Sequence, residues 1–191
     1  MKANITIDEA KTLLHKYIKE EFLLNHSRET EVIMRGLAKH FKEDEDFWGI
    51  TGLLHDLDMD DIGTDIQKHG ERTCQILEQE GYEIPKMFDA IKSHTEALGH
   101  LGIKRKNKLD FALSAAENIT GIIYAYVLMR PDKTIDGVKT KSITKKIKDK
   151  TFASNVNREA INDIEKTGLS RGEFIEIALD SMKSIAEEIG M

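Results

Sequence analysis

Apolar residues recur at intervals of three and four along most of this 191-residue chain, and no segment alternates strongly enough to read as a strand. Only Pro85 and Pro131 interrupt that period, so the spacing predicts an all-α fold. Ala10, Leu13, Leu14, Tyr17, Ile18 and Phe22 form one stripe, the face of an opening helix. Ser27 reads as the N-cap of a second helix ending near Phe41, and Phe47, Ile50, Thr51 and Leu54 as a short third one that stops at His55-Asp56. Leu57 to Gly63 has no helical period and reads as a loop. His69 opens a helix that closes at Gly81, and Pro85 suits the first position of another ending near His94. Lys108 to Met129 is the long central helix, stopped by Pro131. Ser170 with Glu173 is a capping box for a last helix running towards Gly190.

No repeat, low-complexity tract or linker divides the chain, so residues 1–191 are expected to form one domain. A chain of this size buries roughly 70% of its unfolded surface and needs no metal merely to stay folded, so a bound metal would serve function. Its 28 basic and 34 acidic residues leave a net charge of −6, which disfavours nucleic acid and anionic membrane as partners. The single Cys74 cannot form an internal disulfide, which fits a reducing compartment. Met1 to Ala10 has no apolar core of signal-peptide length, and the longest apolar run, Ile122 to Met129, is far short of the roughly 20 residues that span a bilayer. A cytoplasmic globular protein is expected.

Seven histidines remain to be explained, and four fall at predicted helix ends: His26, His55, His69 and His94. Taken singly, each would ordinarily be a dipole-stabilising residue. Asp56 adjoins His55, and Glu117 stands among Ala115, Ala116 and Ile119 on a helix that reads as buried, where a carboxylate is costly without a partner. Imidazole and carboxylate from several helices of a bundle are a common way to hold a borderline divalent metal. Six such groups exceed the needs of one ion. A calcium loop on Asp56, Asp58 and Asp60 fails, because Asp61 stands where glycine is needed and Gln67 where a bidentate glutamate is needed. His15, His40 and His100 have no evident partner and read as surface or core-edge residues.

The order His26, His55-Asp56, His69, His94, Glu117 resembles the HD superfamily of metal-dependent phosphohydrolases. The local wording agrees in Asn25-His26-Ser27, Leu53-Leu54-His55-Asp56-Leu57-Asp58, Lys68-His69-Gly70 and Ala115-Ala116-Glu117-Asn118. Lys145 to Ala153 and Val156 to Glu159 look like a little-characterised bacterial and archaeal branch. The resemblance implies a single-domain multi-helix HD-like bundle. It implies a first metal on His26, His55, Asp56 and Glu117, and a second on His69 and His94 with Asp56 bridging. Asp56 and His55 are expected to carry the chemistry, and Asp58, near that pair in the sequence, to serve as a proton acceptor or as the partner of a ligand histidine. The metals would be one or two divalent ions among manganese, iron, cobalt, nickel, zinc and magnesium. A metal-activated hydroxide would then cleave a nucleotide or related small phosphoester. Two departures stand out: the family's last ligand is aspartate where this chain has Glu117, and the lysine that some branches carry after the His-Asp pair is replaced by Asp58 and Asp60.

The basic segment Lys139 to Lys150 is first of all a solvated helix face or loop. A functional role would have Lys145 and Lys146, with Arg158, hold the substrate's phosphate. Two other functions stay open for the same ligand set: a di-iron oxygenase, and a metal- or nucleotide-binding module without turnover.

Overall fold

The computed structural model describes residues 1–2 and 4–191, and its elements follow the apolar period: α1 (Ile7–Tyr17), α2 (Glu21–Phe41), α3 (Glu45–Leu54), α4 (Met59–Ile62), α5 (Glu71–Gln79), α6 (Pro85–His94), α7 (Lys108–Met129), α8 (Thr140–Lys148), α9 (Arg158–Asn162) and α10 (Arg171–Lys183). Short 3-10 turns lie at Ile66–Lys68, Thr95–Leu98 and Asp163–Thr167. Among the described residues there is no strand, and the fold is all-α.

Several helix ends lie where local chemistry sets them. Pro85 is the first residue of α6, Asn107 and Asp110 form a capping box at the start of α7, and Ser170 with Glu173 forms another at α10. The basic segment is a helix, α8, with Ile143 and Ile147 buried.

The start of the chain differs from expectation. The opening helix stops at Tyr17, and α2 begins at Glu21, so Ser27 is a buried residue inside α2 and not its cap, and Phe22 is exposed. The physical reason lies forty residues away: one Asp60 oxygen accepts the Lys19 N–H at 2.6 Å and the Glu20 N–H at 3.4 Å, which pins the break. The segment from Leu57 to Gly63 likewise contains one short turn of helix, α4, closed by Gly63 at φ 54°. Regular helix ends at Lys183, earlier than Gly190.

The apolar interior has two lobes. Leu14, Ile18, Leu54, Leu77, Met87 and Ile91 fill one, between α1, α3, α5 and α6. The second lobe is filled by Ile33, Leu37, Ile119, Ile123, Phe174 and Leu179, between α2, α7 and α10. Helix α3 packs on α2, α6 and α7, and α7 packs on α2 and α6, so these four meet between the lobes. A Cβ on Gly52 would lie 2.9 Å from the Thr30 carbonyl oxygen, so glycine permits the close α2/α3 approach. Helix α7 is long and apolar enough to cross a membrane by composition alone, yet it carries Asp110 and Glu117 and its faces are covered by neighbouring helices.

One carboxyl on α2 is buried without compensation. Glu29 on α2 is 3% exposed, its Oε1 has no partner, and burial pushes its carboxyl up to about 8. The folded chain therefore keeps a proton that the unfolded chain loses near 4.5, and this contribution to stability falls as pH rises from 4.5 to 8. Glu29→Gln is expected to stabilise the fold relative to the parent by about 3 kcal/mol at pH 7, with the gain vanishing near pH 4. Denaturant unfolding of both proteins at the two pH values checks it; a pH-independent difference would contradict it.

Candidate metal centre

Four imidazoles surround one carboxylate where α2, α3 and α6 approach each other. His26 is on α2, His55 follows α3, His69 precedes α5 and His94 closes α6. The Nε2 atoms of His55, His69 and His94 lie 3.3, 3.5 and 3.5 Å from Asp56 Oδ1, and His26 Nε2 lies 3.5 Å from Asp56 Oδ2. The side chains form two groups that share Asp56, one with His26 and His55 and one with His69 and His94. Within each group the candidate ligand atoms all lie within 4.8 Å of one another.

Every ring is aimed from its far side. His55 Nδ1 is 2.7 Å from the Gly52 carbonyl, and His94 Nδ1 bonds the Ile91 carbonyl. A carbonyl only accepts, so both rings carry their proton on Nδ1 and present Nε2 as a lone pair. His69 Nδ1 lies 2.9 Å from Asp58 Oδ1, with the same consequence. Thr120 spends its hydroxyl proton on the Glu117 carbonyl at 2.7 Å, so its oxygen accepts from His26 Nδ1 at 3.0 Å. Four Nε2 atoms thus converge on one carboxylate, each the position where a neutral ring so bonded offers a lone pair. His69 Nε2 and His94 Nε2 face each other at 3.1 Å, an arrangement that repels unless a proton or metal ion lies against both.

Burial pushes His55 down to about 3 and lowers His26, so both are neutral at pH 7. Burial opposes the charge on Asp56 as well, but the positive charge that His55, His69 and His26 take up when protonated, and a hydrogen bond from His94, outweigh it and hold this carboxyl well below its ordinary range. For His69, burial is outweighed by its hydrogen bond to Asp58 and by the charges of Asp56 and Asp58, and its pKa is raised. His55 Nε2 and Asp56 Oδ1 are buried without a hydrogen-bond partner among the described residues. Buried polar atoms are rarely left unpaired. The donor set fits a divalent metal site, and a cation is what would satisfy both atoms.

Asp58 is fully buried and accepts from three groups: His69 Nδ1, the Gly70 N–H at 2.7 Å and the Thr73 N–H at 3.2 Å. It fixes His69 and does not itself line the cavity. Gly70, at φ 79°, lies where a Cβ would be 2.9 Å from Thr95 Cγ2, so glycine lets the His69 segment lie against α6.

Glu117 lines the cavity without joining either group. Burial and the charge of Asp56 raise its carboxyl well above the ordinary range, against the opposing pull of Arg105 and a hydrogen bond from the Asn118 amide. Lys145, Lys146 and Arg158 are not brought to the cavity. Lys146 lies over the Phe152 ring, and the Arg158 guanidinium donates to the carbonyls of Asp149, Phe152, Ala153 and Val156, holding that loop together. His100 is not idle: its Nε2 is 3.0 Å from the His69 carbonyl. Neither this contact nor the role of Thr120 has a local sequence signal, because both depend on chain segments far apart.

A family model described as HD domain matches residues 23–122, just over half of the chain, a span that runs from before His26 to beyond Glu117. No curated protein and no solved structure matches significantly. The family model covers the whole buried His/Asp cluster, and on that match the chain belongs to the HD domain family.

Proposed function

We propose that the chain is a metal-dependent phosphohydrolase that acts on a small phosphoester, in a cytoplasmic setting consistent with its buried, unpaired Cys74. The observation that carries this reading is the ring of four Nε2 atoms aimed at Asp56, whose buried Oδ1 has no hydrogen-bond partner among the described residues. In this reading His26, His55 and Asp56 would hold one divalent ion, and His69 and His94 with Asp56 would hold a second. Glu117 completes the first site: its carboxyl resists ionisation beside Asp56, and an adjacent cation would reverse that preference.

Bound divalent ions supply a lowered pKa for water and neutralise charge on the phosphoryl oxygens. The chain's own contribution is orientation and dryness. The Gly52 and Ile91 carbonyls, Asp58 and Thr120 fix the four rings, so the Nε2 atoms are in place before anything binds. Thr73 and Gly70 N–H groups hold the Asp58 carboxylate still. Asp56, ionised across the neutral range, supplies the negative charge that a dication needs.

With manganese, iron, cobalt, nickel, zinc or magnesium supplied in turn, at least one ion is expected to support hydrolysis from a panel of phosphate esters. His55→Ala should lower the metal content and abolish turnover. Oxygen uptake by the iron-loaded chain without ester hydrolysis would overturn the hydrolase reading in favour of an oxygenase, and metal binding without turnover of any ester would favour a binding module.

Asp58→Asn gives a sharper test of the second site. The asparagine oxygen would stay with the Gly70 and Thr73 N–H groups and turn its NH2 towards His69 Nδ1, moving the imidazole proton to Nε2. Metal affinity measured by calorimetry is expected to fall roughly 10- to 100-fold with the fold intact; an unchanged affinity would show that His69 is not a ligand.

A further inference from the structure

The cavity that opens on Asp56, His26, His69, His94 and Glu117 has a volume of about 730 Å³, far more than a phosphate group fills. Beyond these, Phe22, Leu23, Met59, Ile66, Leu98 and Val156 give it an apolar side, and Thr95, Asn118, Thr120, Asn155 and Asn157 a polar but uncharged one. Phe22, Ile66 and Leu98 are 62, 39 and 44% exposed, so half of the exposed large hydrophobic side chains among the described residues gather at one mouth. Large apolar side chains left in water at a single concave place mark a binding surface.

Among the described residues, no lysine or arginine lines this cavity. Arg105, which follows one lining segment, is spent on Ser114, Asp163 and Glu96, and Arg158, which follows another, on four backbone carbonyls. Lys104 pairs with Glu96. A second or third phosphate reaching beyond the histidine ring would lie against Phe22 and Leu98 with no cation to meet it, and unpaired charge on an apolar wall is costly. An apolar or aromatic body would instead bury the surface that these side chains now expose. The wall is also built to last: a Cβ on Gly121 would lie 2.9 Å from Val156 Cγ2, so the 149–157 loop is seated directly on α7. Phe22 stands edge-on to Tyr124 with ring centroids 6.1 Å apart.

We propose that this site selects monophosphates joined to an apolar or aromatic body and discriminates against polyphosphates. The proposal rests on the phosphohydrolase reading for the fate of the ester, and on cavity chemistry alone for the selectivity.

Binding and turnover separate the two. The manganese-loaded full chain would be titrated calorimetrically with benzylphosphonate and with methylphosphonate, which carry similar heads and cannot be hydrolysed. Its kcat/KM would be measured on 2-phenylethyl phosphate, ethyl phosphate and adenosine triphosphate, the first two having leaving alcohols of similar acidity. The larger phosphonate is expected to bind about tenfold tighter or more, with a matching advantage in kcat/KM for the larger ester and the triphosphate poorest of the three. Phe22→Ala combined with Leu98→Ala, both at exposed positions, should shrink the benzyl-to-methyl ratio towards one. Equal binding of the two phosphonates, a ratio insensitive to the double substitution, or a preference for the triphosphate would each overturn the selectivity. Selective phosphonate binding with no ester turned over would uphold the selectivity and overturn the hydrolase reading instead.

Discussion

Everything at the centre of this molecule depends on one uncompensated anion. Asp56 is largely buried, ionised, and approached by four imidazole Nε2 atoms whose rings are already bonded through Nδ1. Such a cluster is electrostatically incomplete. Its cost is met elsewhere: each ring is locked by a hydrogen bond from Nδ1, so convergence is preserved by the scaffold and not by attraction within the cluster.

The helices are arranged to make that convergence possible. Gly52 lets α3 lie against the Thr30 carbonyl of α2, which brings the His26 and His55 ring centroids to 5.1 Å. Gly70 lets the segment before α5 lie against α6, which brings the His69 and His94 centroids to 4.8 Å. Each close approach serves one half of the site, and Asp56 joins the halves. The two apolar lobes then fix the relation between them, since the ligand-bearing ends lie where α2, α3, α6 and α7 meet.

Much of this was legible before any coordinates, where the signal was local. Pro85 and the Ser170/Glu173 pair define helix starts by their own chemistry, and the four histidines and Asp56 stand near helix ends in an order that resembles the family. What was not legible depended on distant partners. The break between α1 and α2 is made by Asp60, and without it the apolar stripe runs on through Ile18 to Phe22 and displaces the start of α2 to Ser27. Arg158 looked available for a phosphate because sequence shows a charge but not the four carbonyls that occupy it. His100 looked idle for the converse reason: its partner, the His69 carbonyl, is thirty-one residues away. The acidic balance of the chain also reads differently in three dimensions, because the cavity contributes Asp56 and Glu117 and no lysine or arginine from the described residues.

The central claim is that Asp56 stands between two cation sites built from different pairs of histidines. Anomalous scattering from crystals of the manganese-loaded chain tests it most directly. The account predicts two peaks flanking the Asp56 carboxylate, one beside His26 and His55 and the other beside His69 and His94. A single peak held without His69 and His94, or no peak within reach of Asp56, would contradict it.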